Sequence, residues 1–193
     1  MSDIKDTAIQ IWTIQNELAL EYGIDVVRRS FCISSDIDDT TFEVVDAKLN
    51  ILERSLEDTS DITIKLNCLG GDVYNAWAIV SRMQSSPCNV NVEAYGTVMS
   101  AATMIFAAGK KRRVSKYCEF MFHQTQVSEM QGSLAAIETA TESMKREERM
   151  YCRLLAENSK KSVQWWHKML SLKKDIYLTA EQMIKIGLAE EIF

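Results

Sequence analysis

Only two histidines occur in the 193 residues, His123 and His167, so few groups can move a proton near neutrality. His123 closes the apolar stretch Phe120-Met121-Phe122 and precedes Gln124-Thr125. Strand ends in open α/β sheets are where sites assemble, which singles His123 out. His167 lies in Gln164-Trp165-Trp166-His167-Lys168, a helical context beside bulky aromatics, and reads as a surface or packing residue. Ser100 stands between an alternating segment and a run of small apolar residues, where a hydroxyl can face a cleft and a helix N-terminus supplies positive potential. It does not satisfy G-x-S-x-G, since Gly96 is four residues earlier and Ala102 two later, and local sequence alone favours an ordinary N-cap serine. Gly70-Gly71 shifts that weighting. A glycine pair lets the backbone approach a substrate and present N–H groups to an oxyanion.

The elements that must hold these groups follow from periodicity. Ile62-Thr63-Ile64-Lys65-Leu66 alternates as a half-buried strand, Leu69-Gly70-Gly71-Asp72 breaks it, and residues 73–83 resume at helical spacing with Val73, Trp77, Val80 and Met83 on one face. Residues 90–95 alternate again and end at Gly96, ahead of an almost wholly apolar helix over 100–109 closed by Gly109. Two successive strand–helix units imply an α/β fold with a mostly parallel sheet and crossover helices. Upstream, residues 31–33 are strand-like, and Thr40 with Glu43 has the spacing of a capping box, opening a helix that runs through Leu56. Downstream, residues 113–117 and 120–122 are extended. A long helix over 133–156 carries Leu134, Ile137, Met144, Tyr151 and Leu155 on a stripe interrupted by Lys145-Arg146-Glu147-Glu148-Arg149, a pattern that projects from its domain or packs on another subunit. Thr179 and Gln182 form a second capping box and Gly187 a stop, leaving 188–193 as a closing segment. Residues 1–30 form a separate arm, mixed and helix-leaning, with Ile9, Ile11, Trp12, Ile14, Leu18 and Leu20 on no clean period.

Composition narrows the classes. With 47% hydrophobic and 25% charged residues, one proline and seven glycines, the chain is an ordered domain rather than a disordered or linker-rich array. At this length roughly 70% of the unfolded surface can be buried. A net charge of −5 argues against a nucleic-acid partner, and Lys110-Lys111-Arg112-Arg113 reads as a solvated turn. Five scattered cysteines, Cys32, Cys68, Cys88, Cys118 and Cys152, include no C-x-x-C pair, so neither a disulfide framework nor a metal site is expected. A reducing cytoplasm fits best. The opening Met-Ser-Asp-Ile-Lys-Asp has no basic start with an apolar stretch behind it, and no window nears eighteen uncharged apolar residues, so neither secretion nor membrane insertion is expected.

Taken together, Leu66-Asn67-Cys68-Leu69-Gly70-Gly71, the 29 positions from Gly71 to Ser100, Gly96-x-x-Met99-Ser100-Ala101-Ala102 with Ala107-Ala108-Gly109, Met121-Phe122-His123-Gln124, and Asp175-Ile176-Tyr177-Leu178-Thr179-Ala180 to Gly187-Leu188 resemble the Clp protease proteolytic subunit family. Each motif alone is common; five in order at compatible spacings are not. The resemblance runs over about residues 31–193 as a single domain. It implies a crotonase-like α/β fold of repeated β-β-α units with a long projecting handle helix. It also implies serine endopeptidase chemistry on unfolded or short polypeptides, with no cofactor, inside a homo-oligomeric ring, commonly two stacked heptamers. Position by position, it implies Ser100 as nucleophile, His123 as general base and Asp175 as the carboxylate that orients it. The N–H groups of Gly71 and Ala101 become oxyanion donors, and Gly70 borders the substrate. Without the resemblance, Asp175 reads as a turn or cap ahead of Thr179.

The sequence also departs from that family. Its glycine turn reads Cys68-Leu69-Gly70-Gly71 where Ser-Pro-Gly-Gly is usual. After Gln124 comes Thr125-Gln126-Val127-Ser128-Glu129-Met130 instead of proline and a glycine-rich stretch, a change that bears on ring-to-ring contact and the substrate groove. The first 30 residues do not resemble the usual loop that engages an unfoldase ATPase, so that partner draws only weak support. Divergent relatives of this kind also occur in bacteriophages. Two other readings stay open on sequence: a crotonase-type acyl-CoA enzyme, which needs no Ser100–His123 pair, and a catalytically idle ring subunit.

Overall fold

The computed structural model describes residues 2–54, 60–126, 131–172 and 174–193. A 21-residue helix, α1 (Ser2–Tyr22), precedes two short antiparallel strands, β1 (Ile24–Asp25) and β2 (Ser30–Ile33). The arm of mixed pattern is thus mostly helix. Its side chains Ile9, Ile11, Trp12, Ile14 and Leu20 stay exposed, which explains why they follow no core-facing period.

From β2 the chain alternates strand and helix. It runs through α2 (Asp39–Glu53), β3 (Ile62–Cys68), α3 (Val73–Gln84), β4 (Val90–Met99), α4 (Ala102–Ala108) and β5 (Arg112–Val114). Strands β2, β3, β4 and β5 lie side by side and parallel, as two strand–helix units predict. The start of α2 differs from expectation. Asp38 is the N-cap, its carboxylate accepting from the Thr40 and Thr41 N–H groups while Thr41 Oγ1 accepts from the Asp38 N–H at 3.0 Å. A carboxylate two residues before Thr40 takes the Thr40 and Thr41 N–H groups, so the helix starts earlier and Thr40 lies inside its first turn. The predicted continuation of this helix to Leu56 falls partly on residues 55–59, outside the described residues.

Strand β4 also differs, running through Gly96 to Met99 rather than stopping there. Between the pairs Leu66↔Ala94 and Cys68↔Val98, β3 advances two residues while β4 advances four, so β4 carries a bulge. Gly96 sits in that bulge at φ +49°, and a Cβ there would lie 2.5 Å from Asn67 Oδ1. The same Asn67 oxygen accepts the Thr97 N–H at 3.0 Å and pins the bend. Because of the bend, β4 has two partners on one side. Val92, Glu93 and Ala94 pair with β5, and Thr97, Val98 and Met99 pair with β6 (Glu119–Phe122).

Two helices follow, α5 (Leu134–Glu157) and α6 (Val163–Leu170), then β7 (Ile176–Thr179), α7 (Ala180–Ile186) and β8 (Glu191–Ile192). Strand β7 pairs antiparallel with β6, and β8 closes the edge beside β5. Two successive strands precede a helix at β1–β2–α2, where they pair with each other, and at β5–β6–α5, where both pair with β4 instead, whereas β3 and β4 each enter a helix alone. Helix α5 buries Cys152, Leu154 and Leu155 near its C-terminal end and leaves its first half largely in solvent, as a projecting handle requires. Among the described residues, no helix is long and apolar enough to cross a membrane.

The core explains the small residues of α4. Residues 102–107 are all buried, and only alanine-rich faces let this helix press onto the sheet and against α3 and α5 at once. Phe120 and Phe122 alternate inward from β6. Phe120 meets Phe106 at a centroid distance of 4.9 Å, and Phe122 meets Trp166 of α6 at 5.3 Å. This anchors the strand whose next residue is His123. Phe122→Ala should therefore lower stability by about 3–5 kcal/mol, because the ring is fully buried and leaves a void. Tyr117→Ala, at a residue 84% exposed, should cost less than about 0.5 kcal/mol. Urea denaturation of both variants checks the contrast.

Candidate active site

Three neighbouring strand ends converge on one cavity of about 270 Å³, bordered by Gly71 after β3, Ser100 after β4 and His123 after β6. The pairing of β4 with β6 sets the last two side by side. The ladder extends one step beyond the strands, with the Ser100 N–H donating to the Met121 carbonyl at 2.9 Å. Ser100 Oγ then lies 2.6 Å from His123 Nε2, a hydrogen bond between hydroxyl and imidazole. His123 follows Phe122 on an alternating strand, so its ring leaves the sheet on the face opposite the buried phenylalanines.

Ser100 is held in a strained turn. Its φ is +51°, a left-handed conformation that non-glycine residues adopt at a cost of about 1–3 kcal/mol where the surroundings enforce it. The enforcement is visible. The Ser100 carbonyl accepts from the Thr103 N–H at 3.0 Å and from Thr103 Oγ1 at 2.6 Å. Since Thr103 spends its proton there, the Tyr151 hydroxyl 2.5 Å away donates to Thr103. Burial pushes the Tyr151 phenol well above its usual range, which keeps that donor protonated.

The glycine pair fits around this turn. Gly70 has φ +108°, and a Cβ on it would fall 2.7 Å from Ser100 Cβ and 3.1 Å from the Ala101 nitrogen. Gly71 has φ +137°, and its Cβ would fall 2.2 Å from the Ile37 carbonyl oxygen. Both positions therefore demand glycine twice over, by conformation and by space. The Ile37 N–H donates to the Gly70 carbonyl at 2.7 Å and the Asp72 N–H to the Ile37 carbonyl at 2.8 Å, which clamps the turn from the far side. Cys68 contributes as well: its sulfur accepts the Gly70 N–H at 3.3 Å and donates to the Ser35 carbonyl at 3.0 Å. A thiol thus ties down this turn, which has leucine where proline is usual. Burial raises the Cys68 thiol, and raises those of Cys118 and Cys152 to about 12 and about 11, so these three sulfurs stay protonated and are poor nucleophiles beside Ser100.

Asp175 is brought near and not into contact. The register Phe122↔Ile176 between β6 and β7 sets the next positions, His123 and Asp175, opposite one another. Both border a second cavity of about 260 Å³ with Gln124, Thr125, Gln126 and Lys174. The Asp175 side chain is exposed, while His123 Nδ1 is buried and has no hydrogen-bond partner among the described residues. A buried orphan ring nitrogen costs about 1–3 kcal/mol, a cost the facing carboxylate can relieve. His167, the other histidine, is exposed on α6 and approaches Glu148 at 4.0 Å, consistent with a surface role. The segment expected to shape ring-to-ring contact falls partly on residues 127–130, outside the described residues.

Sequence reasoning missed four residues of this site. Trp77 and Tyr151 read as apolar stripes, Thr103 as one small residue in an apolar helix, and Glu147 as part of a solvated charge run. Trp77, Glu147 and Tyr151 border the cavity, and Thr103 braces the turn beneath it. Helical spacing held the available signal: Glu147 and Tyr151 are four apart on α5 and share a face.

The chain matches the Clp protease family model over residues 2–193. It is 30% identical over 166 residues to the ATP-dependent Clp protease proteolytic subunit of Porphyromonas gingivalis, covering 85% of this chain and 73% of that protein. It is 28% identical over 167 residues to ATP-dependent Clp protease proteolytic subunit 1 of Corynebacterium glutamicum, covering 86% and 79%. Its fold resembles that of a ClpP1 mutant from Listeria monocytogenes with a TM-score of 0.78 at 25% identity, over 91% of this chain and 95% of the other. Sequence and fold agree over the same length that carries the serine, the histidine and the glycine turn, and the chain belongs to the Clp protease family.

Proposed function

We propose that the protein is a serine endopeptidase that cuts unfolded or short polypeptides inside an oligomeric ring. The observation that carries this reading is the 2.6 Å contact between Ser100 Oγ and His123 Nε2 in a cavity rimmed by a glycine turn. His123 takes the Ser100 proton as Oγ attacks the scissile carbonyl, and the carbonyl carbon becomes tetrahedral. The N–H groups of Gly71 and Ala101 receive the developing oxyanion, and Gly70 leaves room for the serine turn. His123 then returns the proton to the leaving amine. Water repeats the sequence on the acyl-serine and restores Ser100.

Asp175 completes the triad by turning its carboxylate into the cavity it shares with His123, where Nδ1 has no partner. The open arrangement is then a resting state and the closed one the cutting state. A crotonase-type acyl-CoA enzyme needs no serine paired to histidine, so the contact favours peptide hydrolysis over that alternative. An idle ring subunit would have no use for the strain stored at Ser100.

Assembly draws support from the family and from α5, whose Leu134 and Met150 are 73% and 46% exposed on a helix that projects from the core. The relatives' names include ATP dependence, which supports an ATPase that delivers substrate to the ring. All five cysteines are free thiols, which fits a reducing cytoplasm.

Cleavage of a fluorogenic peptide by wild type and Ser100→Ala, with oligomeric mass measured on both, tests the reading: wild type should cut and the variant should not, at one shared mass well above 22.0 kDa. Loss of cleavage with a changed mass, or equal cleavage by both, would overturn the assignment of Ser100. Gly71→Ala should lose at least about 10²-fold to 10³-fold in kcat, the range for losing one oxyanion donor, because its Cβ also strikes Ile37. Asp175→Asn should lower kcat by on the order of 10²-fold to 10⁴-fold with the assembly unchanged. Unaltered kcat would remove Asp175 from the mechanism.

A further inference from the structure

We propose that the cavity beside Ser100 receives the substrate's P1 side chain, the one on the acyl side of the scissile bond, and selects lysine or arginine through Glu147. The inference rests on the peptidase reading and adds the substrate class.

At about 270 Å³ the cavity suits one side chain rather than a whole small molecule. Its walls are apolar and aromatic, formed by Val73 and Trp77 of α3, Met104 of α4 and Tyr151 of α5. These surfaces pack well against the methylene stem of a long side chain. Among the described lining residues Glu147 alone carries a formal charge at pH 7 with histidine neutral. Glu147 lies one helical turn before Tyr151.

Two polar atoms in this wall have no partner. Glu147 Oε1 is buried without a hydrogen bond, and so is Trp77 Nε1. The Tyr74 hydroxyl neighbours the carboxylate, and Glu147 is the main reason the Tyr74 phenol is raised. Two other polar groups of this wall are already engaged. The Tyr151 hydroxyl is spent on Thr103, and the Gln124 amide reaches Glu148 at 3.3 and 3.4 Å. Nearby cations are drawn elsewhere too, Lys145 to Glu142 at 2.8 Å and Arg146 to Ser143 at 3.4 Å.

A buried carboxylate oxygen with no donor is costly, and a cation that reaches it recovers the cost through a charge-assisted hydrogen bond. An ammonium or guanidinium satisfies Glu147 and also lies against the π face of Trp77, whereas leucine or methionine would leave the carboxylate unpaired. A glutamine side chain could offer a donor to Glu147 and an acceptor to Trp77 without charge, so it is the informative competitor.

The test uses two sets of reagents with P1 lysine, arginine, glutamine or leucine: fluorogenic peptides, and peptidyl phosphonate esters that report modification of Ser100 without turnover. Wild type should favour lysine and arginine over leucine by at least about 10-fold in kcat/KM and in labelling rate. Glu147→Gln keeps the shape and should lower the lysine-to-leucine ratio by about 10-fold to 100-fold, the range for a hydrogen bond to a charged group. A fall shared equally by all four P1 residues would mark Glu147 as structural and overturn the inference. So would a wild-type preference for leucine or for glutamine. If no phosphonate labels Ser100 at any P1 residue, the peptidase reading fails and takes this inference with it. Labelling that ignores P1 charge removes the inference alone.

Discussion

The bulge in β4 is the constraint on which the rest of the site depends. A straight strand would have to choose between β5 and β6 along its whole length. The extra residues around Gly96 let its first half pair with β5 and its second half with β6. Only the second pairing carries the chain end to Met121, where the Ser100 N–H finds its acceptor and the hydroxyl finds His123. The price of the bend is a local gap in the ladder, and Asn67 fills it by accepting the Thr97 N–H. Strand β3 therefore contributes twice, through Asn67 at the bend and through Gly70-Gly71 at its end.

Strain and unmet hydrogen bonds collect in the same place. Ser100 is forced to positive φ beside Gly70, where a Cβ would fall 3.1 Å from the Ala101 nitrogen. Among the described residues four buried side-chain atoms lack a partner, Ser30 Oγ, Trp77 Nε1, His123 Nδ1 and Glu147 Oε1, and the last three belong to residues that line the cavity at Ser100. Native cores leave few such groups. Their clustering says that the fold tolerates a deficit here, and the large apolar core around Phe106, Phe120, Phe122 and Trp166 supplies the stability that permits it.

Much of this was legible in the sequence because its determinants are short-range. Alternation in residues 62–66 and 90–95 gave β3 and β4, and small apolar residues around 102–107 gave α4. Gly70-Gly71 marked the turn. What was hidden depends on partners distant in sequence. Gly96 read as a strand end because nothing nearby reveals that Asn67, 29 positions earlier, would hold a bulge open. Thr40 read as a cap because threonine and Glu43 have the right spacing, yet Asp38 accepts the Thr40 and Thr41 N–H groups and starts the helix earlier. The role of Asp175 came from resemblance alone, and only the β6–β7 register gives it a geometric reason. Glu147 was hidden by its neighbours: in Lys145-Arg146-Glu147-Glu148-Arg149 every residue is charged, and only the rotation of α5 decides that one of them faces inward.

That rotation links Glu147 to the turn at Ser100. Tyr151 sits one helical turn beyond Glu147, and its hydroxyl braces Thr103, which in turn holds the Ser100 carbonyl. The Glu147 carboxylate at the cavity and the phenol that braces the Ser100 turn therefore share one face of α5. In the proposed peptidase, a side chain bound at Glu147 would act on the same helix that braces Ser100 through two hydrogen bonds. Binding energy used in this way raises the rate of the chemical step only to the extent that it is realised in the transition state. Because the first half of α5 is otherwise held by few buried side chains, the contacts at Glu147 and Tyr151 weigh more in setting its orientation than they would on a helix embedded in the core.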